Sequence, residues 1–196
     1  VDFVVGFRWP HGSKTVRMRL IKGGLVRAVS EAWYPSSMFE YGLLLEDDLE
    51  VSPLYMNWIN RVMNAHTHST ANRLIGISLY SPRVTETTNP PHPFNSNNVT
   101  YQITGNPESP YLMQTPCSWG AVYFPSAWRQ FLHYMRMRLR HEDNQNPLKN
   151  EYVNIPSSRT NGWQQSWKKY MFEFMYLKGS YIIYPNFAGQ KSFSTN

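Results

Sequence analysis

Gly42-Leu43-Leu44-Leu45-Glu46-Asp47-Asp48-Leu49-Glu50-Val51-Ser52-Pro53 is the stretch on which the reading of this chain turns. The apolar run 41–45 predicts a buried strand, and it stops at once in three acids. Ser52 followed by Pro53 predicts a helix start, with serine as cap and proline at the first helical position. Behind it Leu54, Trp58 and Val62 recur at spacing four, with Tyr55, Ile59 and Met63 alongside, which is one face of a helix. Strand, acidic turn and helix in that order place Glu46, Asp47 and Asp48 at the carboxyl end of a sheet strand. Ligands of open α/β sheets bind at that edge. Three adjacent carboxylates repel one another unless a cation or hydrogen-bond donors offset the charge. A divalent ion with hard oxygen ligands does so, and it completes its shell with phosphate oxygens. The plainer alternative is an acidic turn in water, with Asp47 and Asp48 favouring the nearby helix start.

Outward from this stretch, strand and helix patterns alternate. Residues 1–5 predict a strand and 25–33 a helix with Leu25 and Val29 on one face. Residues 74–80 and 120–124 predict buried strands, and Ser126 caps a helix carrying Trp128, Phe131, Leu132, Met135 and Leu139. A third helix carries Trp163, Trp167, Tyr170, Met171 and Phe174, ends at Gly179 and leads into a last strand over 181–184. Between the second and third of these strands, residues 81–116 are rich in Pro, Asn and Thr and predict a long surface excursion. Within it Val99, Tyr101 and Ile103 alternate with polar residues, predicting one half-buried strand. The alternation predicts a single α/β domain over 1–196, with a mixed, mostly parallel sheet flanked by helices.

Composition narrows the function. The chain has 196 residues, 19 Lys+Arg against 13 Asp+Glu, 16% charged residues and 15% aromatic ones. Typical domains are about 25% charged. Few charges and many rings suit a polar, uncharged ligand such as a sugar, or a surface hidden against a partner. The net +6 does not argue for nucleic acid, because the basic residues are scattered. The densest group, Arg129, Arg136, Arg138 and Arg140 with Lys168 and Lys169, reads as solvated helix faces. No apolar run reaches the roughly 20 residues of a membrane helix. The lone Cys117 forms no internal disulfide and reads as a small buried residue.

The run from Leu45 to Pro53 resembles the metal-binding acidic motif of GT-A glycosyltransferases, in the form seen in N-acetylglucosaminyltransferase I. Gly24-Leu25 opening a helix, Ser118-Trp119-Gly120 leading a strand, and the run from Trp163 to Trp167 before a helix, strand and proline fit the same layout. Tyr184-Pro185-Asn186-Phe187 and Ser192-Phe193-Ser194-Thr195-Asn196 resemble an uncharacterised branch of such transferases in plants and fungi. The resemblance implies a GT-A fold, expected to be truncated at the N-terminus. It implies that Asp48 coordinates Mn²⁺ or Mg²⁺ bridging the donor's diphosphate. Glu46 and Asp47 would hydrogen-bond the ribose and the transferred sugar of a nucleotide sugar, a UDP-sugar in the first instance. The metal would stabilise the departing nucleoside diphosphate as a Lewis acid. A glycan or other hydroxyl compound is the acceptor, and the Golgi lumen is the expected compartment.

The sequence departs from that pattern where an inverting transferase keeps its general base. Before Trp167 stand Gln164, Gln165 and Ser166, none a base near neutral pH. Glu173, about two turns further on, is the weak candidate, with Glu142 and Asp143 upstream; each also reads as an ordinary surface acid. Trp119 and Trp163 are candidates to stack on sugar rings on the acceptor side, or else belong to the core. His66 and His68 lack a third partner for a metal. Lys14, Arg17 and Arg19 fit either phosphate contacts or an exposed edge strand. Asn98-Val99-Thr100 is a glycosylation sequon and favours a secretory lumen mildly. A catalytically inactive carbohydrate-binding or scaffold domain on the same fold is the second expectation.

Overall fold

The computed structural model describes residues 2–66, 73–143, 153–163 and 165–195. Its centre is a five-stranded sheet of β1 (Gly42–Leu44), β3 (Leu74–Ser78), β4 (Tyr111–Met113), β5 (Ala121–Tyr123) and β6 (Tyr181–Tyr184), ordered β1-β5-β3-β6-β4. The strands at 42–44, 74–78, 121–123 and 181–184 lie where the apolar runs predict them. The sheet is mixed, but three of its four neighbouring pairs are antiparallel, and only β3 and β6 run parallel. The expectation of a mostly parallel sheet is therefore corrected, and the cause is neighbour order. β1 and β3 do point the same way, as a helical crossover between them requires. However, β5 enters between them in the opposite sense, and β4 closes the far edge against β6. Alternation of elements reports strand direction, not which strands become neighbours.

Helices α2 (Gly24–Ala32), α5 (Pro125–Asp143) and α6 (Trp167–Lys178) cover one face, and α3 (Tyr55–His66) the other. Val29, Trp128, Phe131, Met135, Trp167, Met171 and Met175 pack against Tyr123, Ile182 and Tyr184. On the opposite face Trp58, Ile59 and Val62 meet Ile77, Val122 and Ile183. Side chains alternate across a strand, yet Ile75 and Ile77 point to opposite faces. A bulge between Leu74 and Gly76 inserts one residue against β6 and resets the phase. Gly76 is required there, because a Cβ would lie 2.5 Å from the Val122 carbonyl oxygen.

Several boundaries differ from the sequence reading. Residues 2–6 form an exposed helical turn, α1 (Asp2–Gly6), not a strand: they pair with no other segment, and the Lys14 ammonium binds the carbonyls of Val4, Val5 and Phe7. The alternation at Val99, Tyr101 and Ile103 belongs to a helix, α4 (Ser96–Thr104), whose first turn is capped by the Asn95 side chain. The three side chains are exposed, so no buried face fixes a strand there. α3 starts after Ser52-Pro53, with the Ser52 hydroxyl accepting from the Leu54 N–H at 3.3 Å. Pro125, not Ser126, opens α5. α6 begins at Trp167 with Ser166 as its cap; Trp163 precedes it at the end of a 3-10 turn, Arg159–Gly162. Gly179 ends α6 in the left-handed region, as expected. A second, two-stranded sheet pairs β2 (Glu50–Val51) with β7 (Ser194–Thr195), tying the last described residues to the segment after the three acids.

Burial also fixes a pH window. It pushes the phenols of Tyr123 and Tyr184 well above the ordinary tyrosine value, and that of Tyr111 up to about 12. In the unfolded chain these groups lose their protons near pH ~10. Their contribution is thus complete below pH ~10 and declines as the pH rises toward 12, since only the unfolded state gains by ionising. The urea midpoint is expected to fall between pH 9 and pH 11; equal midpoints would refute this account.

Candidate functional site

β1, β3 and β6 deliver their carboxyl ends to one edge of the sheet, and β5 begins there. A cavity of about 460 Å³ opens at this edge. Glu46 reaches it from the end of β1, Leu25 from the start of α2, and Pro82, Val84 and Glu86 from the excursion. Ser118 and Trp119 contribute from the turn before β5, Arg159 and Trp163 from the 3-10 turn, and residues 165–168 from the start of α6. The lining therefore draws together segments from nearly the whole chain.

Of the predicted site residues, Glu46, Trp119 and Trp163 line the same cavity. Trp119 is half-buried and stands edge-on to Tyr80, ring centroids 4.4 Å apart; Trp163 is 44% exposed. Glu46 is half-buried, and burial followed by the charges of Asp48 and Asp47 pushes its carboxyl up from the ordinary value, with Lys168 acting in the opposite sense. Asp47 and Asp48 are exposed and do not line the cavity. The acidic run thus divides, one carboxylate inward and two toward solvent; strand alternation would turn Asp48 inward again, so the extended pattern stops after Glu46.

Glu173 lies elsewhere. It is buried between α5 and α6, where Tyr134 donates to Oε2 at 2.6 Å and Arg138 grips both oxygens at 2.7 and 3.1 Å. A carboxylate committed to three donors away from the cavity has a structural position, not that of a base beside a substrate. Arg138 is correspondingly not on a solvated face. Gln164 lies outside the described residues, as do His68, Asn196 and the side chains of His66, Glu142 and Asp143. Gln165 and Ser166 line the cavity. Arg17 and Arg19 turn to Glu31 on α2. Cys117 is buried, and burial pushes its thiol up. Asn98 is exposed on α4.

The sequence gives no warning of the buried ion pair in the cavity wall. Lys168, read as a solvated helix residue, is buried, with Nζ 2.7 Å from Oε1 and 2.6 Å from Oε2 of Glu86. It also lies 5.9 Å from the Trp119 ring centroid. Glu86 is held a second time, its carbonyl accepting the Arg159 N–H at 3.0 Å. An acid in a Thr- and Pro-rich stretch and a lysine 82 residues later carry no shared pattern by which to be paired.

Two further features fix the walls. Gly24 has φ +70°, and a Cβ there would lie 2.7 Å from Gln165 Oε1, so α2 starts in close contact with the segment before α6. Gly120, at φ +86°, turns the chain so that the Trp119 carbonyl accepts the Ser194 hydroxyl. Among the described residues no group of three or more His, Cys, Asp and Glu side chains is placed to hold a metal ion, and no helix is long and apolar enough to cross a membrane.

The model of the family described as SPBC1E8.03c C-terminal domain matches residues 2–144. The match takes in the acidic run, Glu86 and Trp119, and stops before Arg159, Trp163 and α6. Among curated proteins none matches the chain.

Proposed function

The chain belongs to the SPBC1E8.03c C-terminal domain family, and we propose that it acts as a metal-dependent glycosyltransferase of GT-A type, moving a sugar from a nucleotide-sugar donor to a glycan or other hydroxyl acceptor. One observation carries the reading. Glu46, Trp119 and Trp163, singled out from distant parts of the sequence, meet in one cavity at the carboxyl edge of the sheet. A sugar ring has apolar C–H faces that suit the exposed indole of Trp163 and the edge-anchored indole of Trp119. Its hydroxyls are donors for the Glu46 carboxylate.

Carboxylate oxygens are the ligand type a hard divalent ion takes. Burial first, and then the charges of Asp48 and Asp47, raise the proton affinity of Glu46, and a dication nearby would relieve the part that is repulsion. Asp48 would hold Mn²⁺ or Mg²⁺, with phosphate oxygens and water completing the shell, which is how such ions bind nucleotides without an all-protein cage. When bound, the ion would supply Lewis-acid stabilisation of the leaving diphosphate. Glu46 would orient ribose or sugar hydroxyls, while Trp119 and Trp163 hold the ring and exclude water from one face. The exposed Asn98 of the sequon suits a secretory-pathway lumen such as the Golgi.

The test is binding of Mn²⁺ and a UDP-sugar, by calorimetry, to the parent and to Asp48→Ala. The variant is expected to lose on the order of tenfold or more in metal affinity, and metal-dependent donor binding with it. Unchanged binding of both would sink the assignment. A second reading, an inactive carbohydrate-binding domain, is favoured by Gln165 and Ser166 standing where a base is expected and by the burial of Glu173. Absence of sugar transfer or donor hydrolysis by the full-length protein would select it.

A further inference from the structure

The charges around the cavity do not cancel in pairs. Lys168 and Glu86 neutralise each other at 2.6–2.7 Å. Two charged groups of the lining remain, the Glu46 carboxylate and the Arg159 guanidinium. Among the described residues neither side chain has a hydrogen bond or a salt bridge. An arginine carries five N–H donors in a planar fork, and a half-buried one without a protein acceptor keeps that capacity for water or a ligand.

Arg159 is nonetheless firmly placed. Its N–H donates to the Glu86 carbonyl, it opens the 3-10 turn Arg159–Gly162, and its guanidinium carbon lies 5.8 Å from the Trp163 ring centroid. The backbone bond fixes where the residue starts and the Trp163 face lies within cation–π reach of its guanidinium, so part of the ordering is done before any ligand arrives. A fork so restricted matches the paired oxygens of phosphate and carboxylate.

From this arrangement we infer that Arg159 receives an anionic group, phosphate or carboxylate oxygens, on a ligand whose sugar ring lies against Trp163 and Trp119. The inference deepens the function proposed above and rests on the cavity being its ligand site. Two sources share this chemistry: the diphosphate of a nucleotide sugar, and the carboxylate of a uronic acid unit in an acceptor. Glu46, the other charge without a partner, faces the hydroxyls of the same ligand.

The experiment is calorimetric or NMR titration of the whole chain with UDP, inorganic pyrophosphate, glucuronate and glucose, in EDTA. Without metal it can fail independently of the Asp48 assignment, and that assignment can fail without it. The parent is expected to prefer an anionic probe over glucose, with affinity falling as salt rises. Arg159→Ala should weaken that probe by roughly tenfold to a hundredfold. Arg159→Lys keeps the charge but not the fork and should lose part of the affinity; it carries the test if the alanine variant does not fold. Loss confined to UDP and pyrophosphate assigns the diphosphate, and loss confined to glucuronate assigns the acidic sugar. No preference for anions over glucose, or full affinity in both variants, overturns the inference.

Discussion

Replacing Asn186 by alanine is expected to destabilise the protein by about 3–5 kcal/mol, from two or more buried partners left unsatisfied at roughly 1–3 kcal/mol each. Asn186 is 3% exposed. Its Oδ1 accepts from the Ser96 hydroxyl at 2.9 Å and from Asn97 Nδ2 at 3.0 Å. Its Nδ2 donates to Thr100 Oγ1, to the Pro107 carbonyl and to the Ser109 carbonyl at 2.9, 2.7 and 3.1 Å. One side chain after β6 therefore holds the first turn and the middle of α4 and the turn beyond it. The Asp variant makes the sharper case. It keeps the shape but sets an acceptor against two carbonyls, so it should cost at least as much as alanine. Both variants should become cleavable by protease within residues 95–110, and urea denaturation measures the loss. A variant as stable as the parent, with an intact 95–110 segment, would show that the excursion is held by other contacts.

The second large effect is at Glu173. Glu173→Ala removes one member of a buried pair and leaves Arg138, whose side chain is 13% exposed, together with the Tyr134 hydroxyl. Breaking a buried pair from one side costs about 3–5 kcal/mol. Glu173→Gln keeps volume and one acceptor, and should cost less. The decisive readout is that folded Glu173→Gln binds ligand in the cavity as the parent does, because its side chain lies between α5 and α6. A variant of parental stability that had lost only turnover would restore Glu173 as the base.

The strands at 42–44, 74–78, 121–123 and 181–184 were legible because each is an apolar run with a polar or turn-forming end, whereas β4, β2 and β7 are too short and too exposed to leave such a run. Their neighbour order was not. Nothing in residues 121–123 says that they enter between β1 and β3, since that choice belongs to pairings made at long range. α4 was misread for a related reason: Val99, Tyr101 and Ile103 are exposed, so their spacing reports no buried face. At the site, Glu46 was found because it sits in a dense local signal, three acids after an apolar run. Trp119 and Trp163 were found through resemblance, as candidates weighed against the core. Glu86, Arg159 and Lys168 were missed as a group, because each is an ordinary residue locally. Only the packing of the excursion against the start of α6 gives them a common role.

The small β2–β7 sheet sets a temporal order on the site. β2 follows the acidic run directly, and its only strand partner among the described residues comes from 194–195. Next to it Phe193 stacks on Trp58, its N–H reaches the Leu79 carbonyl, and the Ser194 hydroxyl reaches Trp119. The loop that carries Glu46, Asp47 and Asp48 therefore cannot settle until residues 192–195 have left the ribosome. During synthesis the five-stranded sheet can pair before this edge closes.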